Sequence, residues 1–233
     1  MNNNVLFEIV ATKDGIKDLA GKITWKAYGN QPLVSSDQHK FGKYSIYLPA
    51  AGYAIQVTEP KSEMLLTPST KWTFSAWIMP TAANGSFGYA TLMNGNRANR
   101  YQRLSIFYEN SPTYNIYYSH SNPNLVATHK PIPDSEIMDG NWHHVAFTHD
   151  DNSTIYTFYD GQLIKTEQET ENIDWQNTIL FTEGAGDNNA WSKGYFDDFT
   201  FILNECRWTQ DFTPPSVYLG SDPLIFNNMK IGD

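Results

Sequence analysis

The sequence predicts an all-β fold, specifically a two-sheet antiparallel jelly-roll sandwich. Turn signals such as Asp14-Gly15 and Asn94-Gly95 recur every eight to fifteen residues, with short runs rich in β-branched and aromatic residues between them. No long stretch has helical periodicity, and Ile132–Met138 is the one candidate for a helical turn. The predicted strands are Tyr44–Leu48, Tyr53–Val57, Lys71–Pro80, Leu104–Tyr108, Tyr114–Ser119, Trp142–Thr148, Ile155–Tyr159, Leu163–Glu167 and Phe196–Leu203.

The segment Asp139–Ile164 gives the sharpest local prediction. Its apolar runs Val145–Thr148 and Thr154–Tyr159 are separated by a polar cluster. Asp160-Gly161 then suits a tight turn, because glycine adopts a positive φ without penalty and aspartate tolerates it. We therefore expect three antiparallel strands in a meander here.

Charge and cysteine content limit the partners and the location. The 233 residues carry 16 Lys and Arg against 25 Asp and Glu, a formal net charge of −9, whereas nucleic-acid surfaces need clustered cations. A single cysteine, Cys206, excludes an intrachain disulfide and suits a reducing cytoplasm. No signal peptide or membrane-length apolar run is evident. We expect no nucleic-acid partner, no membrane insertion, and one domain of residues 1–220 followed by a tail of residues 221–233.

Several segments resemble laminin-G-like domains of the concanavalin A-like lectin/glucanase superfamily. The hairpin sequence DGNWHHVA, followed by a strand ending in YDG, is similar to the signature of these domains. A further element, Cys206–Pro215, resembles one found in laminin-G-like domains of tailed-bacteriophage virion proteins. The other matching segments are Tyr28–Asn30, Phe41–Leu48, Trp72–Pro80 and Gly194–Phe201.

This resemblance implies a concanavalin A-like sandwich and a non-enzymatic virion protein, in the tail or decorating the capsid. Such a protein assembles in the bacterial host cytoplasm. The implied partners are other virion proteins and host-surface glycans, and a homo-oligomer such as a trimer is expected where these modules sit on phage appendages. Two alternatives remain open: a purely structural capsid- or tail-stabilising subunit, and a carbohydrate-binding module or glycoside hydrolase of cellular origin.

Asp197 is the sharpest candidate for a buried functional group. Alternation along the closing strand puts Asp197 on the face of Phe199 and Phe201, so its carboxylate needs hydrogen bonds, a charge partner or a metal. One hypothesis is that backbone amides, Arg207 or an indole N–H satisfy it. The other, which the resemblance implies, is a structural Ca²⁺, with Asp18 or Asp14 and loop carbonyls as further ligands.

Catalysis is weakly supported. Glycoside hydrolases of this superfamily place two carboxylates on one strand, and Glu169–Asp174 imitates that pattern only loosely, in a polar stretch expected to be an exposed edge or loop. The histidines His143, His144 and His149 cannot converge on one ion from a single strand, so we expect them to pack structurally.

Binding has better candidates. Strand alternation leaves Tyr117, Tyr156 and Phe158 on the sheet faces opposite the core, where exposed aromatics can stack against sugar rings or another protein. The loop Glu183–Trp191 combines amides, an acid and an indole, the groups that lectin sites use. We therefore expect ligand contacts from Tyr117, Tyr156, Phe158, Asp187, Asn188, Asn189 and Trp191.

Overall fold

The computed structural model describes residues 4–81, 89–95, 102–108, 113–119, 131–182 and 193–219. Within these ranges 52% of the residues are in strands and helix is almost absent. One short α-helix, α1 (Asp134–Ile137), lies inside the predicted helical turn. The strands are β1 (Val5–Thr12), β2 (Gly15–Asp18), β3 (Trp25–Ala27), β4 (Leu33–Ser35), β5 (Ser45–Leu48), β6 (Ile55–Val57), β7 (Leu65–Leu66), β8 (Trp72–Pro80), β9 (Tyr89–Asn94), β10 (Arg103–Tyr108), β11 (Thr113–Ser119), β12 (Ile132–Pro133), β13 (His143–His149), β14 (Thr154–Tyr159), β15 (Gln162–Gln168), β16 (Ile173–Asp174), β17 (Ile179–Leu180) and β18 (Gly194–Leu203).

Two antiparallel sheets form the sandwich, as predicted. The nine-stranded sheet has the order β15-β14-β13-β8-β18-β1-β2, with β5 also paired to β18 and β4 to β5. The seven-stranded sheet has the order β12-β11-β10-β9-β17-β6-β3. Strands β2 and β3 therefore lie at the ends of the two strand orders, and each forms an edge of its sheet.

The predicted meander is confirmed, because β13, β14 and β15 pair as consecutive antiparallel strands. Asp160 and Gly161 have φ values of 47° and 78°, the two positive values that a tight type I′ hairpin turn requires. Glycine is needed at this position for a second reason. A Cβ on Gly161 would lie 2.0 Å from the carbonyl oxygen of Phe212.

Aromatic residues fill the space between the sheets. The rings of Phe74 and Phe199 meet edge to face at 5.6 Å between centroids, and Trp72 stacks on Phe201 at the same separation. Such pairs stabilise a core beyond the area that they bury. All nine predicted strands are present, with ends shifted by up to two residues. The strand β1, which the sequence analysis did not predict, is fully inside the nine-stranded sheet, between β18 and β2.

A bulge in β18 corrects the predicted orientation of Asp197. Phe196, Phe199 and Phe201 all belong to the core, and the pairing with β8 shifts register between Asp197 and Thr200. Asp198, inside this bulge, has a φ of 50°. The bulge inserts a residue and so changes which side chains share a face. Asp197 consequently lies on the outer face of the sheet, where it is nevertheless fully buried.

Residues 204–219 cross the outer face of the nine-stranded sheet, and we refer to them as the C-terminal cover. The Phe212 N–H donates to the Gly161 carbonyl at 2.8 Å, and the Leu219 N–H donates to Asp198 Oδ2 at 3.0 Å. The Thr148 hydroxyl donates to the Trp208 carbonyl. These contacts tie the cover to β13, β18 and the β14–β15 turn.

Among the described residues, no helix has the length and apolar character that a membrane crossing requires. The predicted tail, residues 221–233, lies outside the described residues.

Candidate functional site

The structure corrects the prediction that the sheet-face aromatics are exposed. Tyr117 and Phe158 do point away from the core, since neither belongs to the core cluster that contains their strand neighbours. Phe158 is nevertheless 0% exposed, with the Phe212 ring of the C-terminal cover at 5.2 Å. Tyr117 is 2% exposed, and the Arg103 guanidinium lies 5.6 Å from its ring centroid. Neither ring offers an open stacking face in this structure.

The remaining predicted contacts fall into two groups. Tyr156 is half-buried, and its hydroxyl donates to Asp150 Oδ2 at 2.9 Å, so part of its ring stays accessible. The loop residues Asp187, Asn188, Asn189 and Trp191 lie outside the described residues, and their role stays a prediction.

Asp197 confirms the hydrogen-bonding hypothesis. Its Oδ2 accepts from the backbone N–H groups of Lys40 and Phe41 at 3.3 and 3.0 Å, and its Oδ1 accepts from the Asp198 N–H at 2.9 Å. Burial raises the pKa of Asp197 to about 7, against the hydrogen bonds from Phe41, Asp198 and Lys40 that lower it. The carboxylate fastens the residue 40–41 loop to the closing strand.

Asp18 has a similar role at the other end of the sheet. Its Oδ1 accepts from the N–H groups of Glu8 and Ala20, each at 3.0 Å, and its Oδ2 accepts from the Ile23 N–H at 3.3 Å. Burial raises the pKa of Asp18, while these amides lower it. The carboxylate thus closes residues 19–23 into a tight loop against β1, as aspartate side chains commonly do in turns.

These surroundings do not fit a calcium site. Calcium takes six to eight oxygen ligands, whereas the carboxylate oxygens of Asp18 and Asp197 accept from backbone N–H groups, which cannot coordinate a cation. Within the part of the chain that the structure describes, no three His, Cys, Asp or Glu side chains group closely enough to hold a metal. Calcium binding stays a prediction.

Glu169 is buried, which corrects the expectation of an exposed edge or loop. Its Oε2 accepts from the Tyr118 hydroxyl at 2.6 Å, and its Oε1 accepts from the Glu171 N–H at 2.8 Å. Glu169 is 5% exposed. Its Oε2 links β11 to the residue just after β15, and its Oε1 holds the local turn at Glu171. These contacts give Glu169 a structural role.

A pocket of about 360 Å³ opens where the exposed edges of the two sheets meet, and we call it the edge pocket. This volume falls within the range of about 300–1,000 Å³ that is usual for small-molecule sites. Its apolar lining comes from both sheets and consists of Ile9, Ile16, Ile23, Trp25 and Ile55. Three of these isoleucines belong to the core, so the floor of the pocket is the rim of the core itself.

Polar residues also line the edge pocket. Lys17 is on β2, Lys26 is on β3, and both are exposed, as are Thr24 and Gln31. The complete polar set is Lys17, Asp18, Gly21, Thr24, Lys26 and Gln31. An apolar floor with a few amide and hydroxyl groups beside it is typical of a ligand site.

Backbone pairing and ring packing fix the pocket walls. Trp25 pairs with Val57 on β6, and its ring meets Phe7 edge to face at 5.2 Å between centroids. The Thr24 carbonyl accepts from the Thr58 N–H at 2.9 Å. These contacts leave Trp25 half-buried, held in place by the core on one side and lining the pocket on the other.

The sequence pattern points to Asp18 in this region but not to Lys17, Trp25, Lys26 or Gln31, which also line the pocket. The available signal is local charge. Residues 13–26 contain four lysines in a chain with a net charge of −9. Locating the pocket itself required the pairing of β3 with β6, which connects residues about thirty positions apart.

The sandwich and its edge pocket define a concanavalin A-like β-sandwich protein with a ligand-sized cleft. Residues 49–208 match the Laminin_G_3 family, described as Concanavalin A-like lectin/glucanases superfamily, and the chain belongs to this family. No curated protein matches the sequence.

Solved structures share the fold at low sequence identity. The binding domain of Paraclostridial Mosquitocidal Protein 1 has a TM-score of 0.62 and 16% identity, over 88% of this chain and 49% of that chain. Domain 4 of AbnA, an extracellular arabinanase from Geobacillus stearothermophilus solved with arabinotriose, has a TM-score of 0.61 and 13% identity, over 87% and 94%. The binding domain of Botulinum Neurotoxin DC, solved with SialylT, has a TM-score of 0.57 and 15% identity, over 97% and 52%. The present chain thus spans about half the length of these toxin binding domains.

Proposed function

We propose that this chain is a non-catalytic carbohydrate-recognition module whose binding site is the edge pocket. The observation that carries the proposal is the composition of that pocket. Trp25 offers an indole beside the amide of Gln31 and the hydroxyl of Thr24, around an apolar floor. Sugars are bound by this combination, because an indole covers the apolar face of the ring while amides and hydroxyls hydrogen-bond its hydroxyl groups.

The proposal includes a biological setting, a tailed-bacteriophage virion on which the module recognises glycans of the host surface. The resemblance of Cys206–Pro215 to an element of phage virion proteins supports this setting. The fold supports the recognition role in a general way, since domains of the same fold have been solved with arabinotriose and with SialylT. Virion proteins and a homotrimeric assembly are the partners that we propose with it.

A glycan array followed by calorimetric titration tests the proposal. We expect the wild-type protein to bind at least one saccharide, and Trp25→Ala to weaken that binding about tenfold or more, as loss of an aromatic anchor does. Because Trp25 also packs on Phe7, a second variant, Gln31→Ala, removes an exposed pocket side chain without touching the core.

Tyr156→Ala is the matched control, since it removes an accessible aromatic from the sheet face outside the pocket. Binding that survives Trp25→Ala and Gln31→Ala but is lost in Tyr156→Ala would move the site to the sheet face. A blank array would reject carbohydrate recognition and favour a purely structural subunit. Hydrolysis of a β-glucan that disappears in Glu169→Gln would contradict the non-catalytic assignment.

A further inference from the structure

A row of four side chains crosses one end of the nine-stranded sheet on its outer face. In the strand registers Leu33 lies opposite Tyr47, Tyr47 opposite Tyr195, and Tyr195 opposite Met79. The four residues therefore stand side by side on β4, β5, β18 and β8, and we call them the tyrosine row. Three strand spacings of about 4.8 Å make the row about 14 Å long.

The tyrosine row points away from the core and is partly open to solvent. Its neighbours along the same strands pack in or against the core, and these are Val34, Ile46, Leu48, Phe196 and Ile78. Successive strand residues alternate between the two faces, so the row lies on the outer face. Leu33 is 44% exposed, and Tyr47, Tyr195 and Met79 are half-buried. The C-terminal cover thus buries other parts of the outer face but leaves this row accessible.

The packing within the row favours a protein partner over a sugar. The rings of Tyr47 and Tyr195 stack on each other, with centroids 4.6 Å apart and planes at 21°. Leu33 and Met79 occupy the two outer positions beside this pair. The row therefore presents ring edges, hydroxyl groups and apolar ends, and not the open ring face on which a sugar stacks. Tyrosine and methionine are enriched at protein interfaces, and exposed apolar patches often mark such interfaces.

A cation lies on one side of the row. Lys193 precedes Tyr195 by two positions, so strand alternation puts its side chain on the same outer face. Because β18 runs from Gly194 past Tyr195 to Asp197, Lys193 is on the side of the row away from Asp197. Lys193 is half-buried, and no ion pair between described residues uses its ammonium group.

An anion lies on the opposite side of the row. Asp37 is exposed, and it belongs to the loop after β4 whose Gln38 carbonyl accepts from the Ser45 hydroxyl at 2.6 Å. Ser45 precedes Tyr47 by two positions on β5, which runs antiparallel to β18. Ser45 and the loop bound to it are therefore on the side of the row opposite Lys193.

Asp37 is close enough to the row to act on one of its tyrosines. Burial raises the pKa of Tyr195, and the charges of Tyr47 and Asp37 raise it further. As with Lys193, no ion pair between described residues uses the Asp37 carboxylate. The row is thus an uncharged stripe with one accessible charge of each sign on its two sides.

We propose that the tyrosine row is a self-association surface, on which a second copy of this chain docks face to face about a two-fold axis parallel to the row. Rotation about this axis exchanges the two sides of the row. Lys193 of each copy then faces Asp37 of the other, and the apolar row packs on its counterpart between the two ion pairs. Such an isologous contact closes as a dimer. The paired charges fix the register of the contact.

The charge of the whole chain restricts self-association to a surface of this kind. With a formal net charge of −9, two copies repel each other, so a contact between them needs a patch in which opposite charges meet. Four apolar side chains and two ion pairs are few compared with the roughly 20–30 residues per side of a standard interface, so we expect a dissociation constant on the order of 10 μM. The dimer is independent of the saccharide site and differs from the proposed homotrimer, which needs a three-fold contact.

Sedimentation equilibrium over concentrations that bracket about 10 μM tests the proposal. We expect monomers at the low end of the range and dimers at the high end. Leu33→Ser should weaken dimerisation about tenfold, because each dimer loses two exposed leucines from the contact. Leu65→Ser is the matched control, since Leu65 is 52% exposed on β7 and lies outside the row, and it should leave dimerisation unchanged.

A charge exchange tests the two-fold geometry. Lys193→Glu and Asp37→Lys each place like charges opposite one another at two points, so each should prevent dimerisation. The double variant Lys193→Glu/Asp37→Lys restores opposite charges and should recover dimerisation to near the wild-type level. Lys26→Glu, at an exposed lysine on β3 of the other sheet, changes the net charge as Lys193→Glu does and should leave the dimer intact.

The outcomes that overturn the proposal are distinct. A wild-type protein that stays monomeric throughout the range would overturn it, as would equal effects of Leu33→Ser and Leu65→Ser. A double charge variant that fails to recover dimerisation, or a trimer in place of the dimer, would overturn the two-fold contact. Saccharide binding is the independent readout and should survive Leu33→Ser. Its loss in that variant would assign the row to a ligand and likewise overturn the proposal.

Discussion

The outer face beneath the C-terminal cover and the edge pocket differ in how they use aromatic side chains. Under the cover, Trp208 stacks on Phe212 with ring centroids 3.9 Å apart, and Phe212 in turn lies against Phe158 and His144. The aromatic rings there pack against one another. In the edge pocket a single indole, that of Trp25, lies among isoleucines and is only partly covered.

The comparison shows that most aromatic side chains of these regions are buried in packing and are not exposed for binding. Of the three aromatics that the sequence places on the sheet faces, Tyr117 and Phe158 are buried and Tyr156 is half-buried. The pocket instead forms where two short edge strands, β2 and β3, end their sheets. An exposed edge leaves room for a ligand, whereas a central strand is covered on both sides by its own protein.

The largest effect that we expect comes from opening the covered face. The double variant Trp208→Ala/Phe212→Ala removes the rings that cover His144 and Phe158. Loss of two large, half-buried aromatics should lower the free energy of unfolding by about 4 kcal/mol, as estimated from aromatic-to-alanine substitutions. Chemical denaturation monitored by tryptophan fluorescence and circular dichroism measures this change.

Val217→Ala is the control for that experiment. Val217 belongs to the same cover but is 60% exposed, so its truncation should change the free energy of unfolding by less than about 0.5 kcal/mol. If the double variant lowered the free energy of unfolding by less than about 1 kcal/mol, the packing of the cover would contribute little to stability. Loss of saccharide binding in a double variant that remains folded would reverse the comparison, because the covered face would then be the binding face.

A second effect, which accumulates only as pH falls, concerns His144, which the cover buries. Burial lowers the pKa of His144 to about 3, below its ordinary value of 6.5, while its Nε2 lies 2.8 Å from the Ser75 hydroxyl. The folded state therefore keeps the neutral imidazole, and the unfolded state binds the extra proton below pH 6.5. The stability that this group contributes is present above pH 6.5 and is lost as pH falls toward 3, at up to about 1.4 kcal/mol per pH unit.

The adjacent histidine provides a control with the opposite sign. Burial lowers the pKa of His143, but its hydrogen bonds with Asp160 and Asp139 together raise that pKa above its ordinary value. The protonated imidazole therefore stabilises the folded state at acidic pH, and His143→Gln should lose stability mainly there, relative to the wild type. His144→Gln should instead reduce the decrease in the free energy of unfolding between pH 6.5 and 4. Urea denaturation at each pH measures this free energy. Parallel pH profiles of His144→Gln and the wild type would contradict burial of a neutral imidazole at this position.

Much of the fold follows from local sequence. Alternation and turn chemistry predicted the meander, because Asp160-Gly161 needs no distant contact to adopt its positive φ values. Asp197 shows where such reasoning stops. Strict alternation places Asp197 on the same face as Phe199, but the bulge at Asp198 puts the two side chains on opposite faces of the sheet. Nothing in the neighbouring residues requires that bulge.

The site depends still more on distant contacts. Phe158 was correctly assigned to the outer face, but its burial depends on Phe212, more than fifty residues further along the chain. Trp25 becomes a pocket wall only because β3 pairs with β6 and packs near β1. Neither the contact of Phe158 with Phe212 nor the pairing of β3 with β6 has a periodic signal in the sequence. The sequence could therefore predict the types of side chain in a binding site but not its location.

The smallest effect that we expect is that of added metal ions on the melting temperature. It concerns one carboxylate in each region, Asp197 beneath the cover and Asp18 beside the pocket. Both already accept hydrogen bonds from at least three backbone N–H groups, so we expect added Ca²⁺ or EDTA to leave the melting temperature unchanged within about 1 °C. Differential scanning calorimetry at a fixed protein concentration and ionic strength measures this, with Mg²⁺ as the control for general ionic effects. A rise of several degrees with Ca²⁺ alone would mean that a metal binds the folded state, and its loss in Asp18→Asn or in Asp197→Asn would assign the ion to one region or the other.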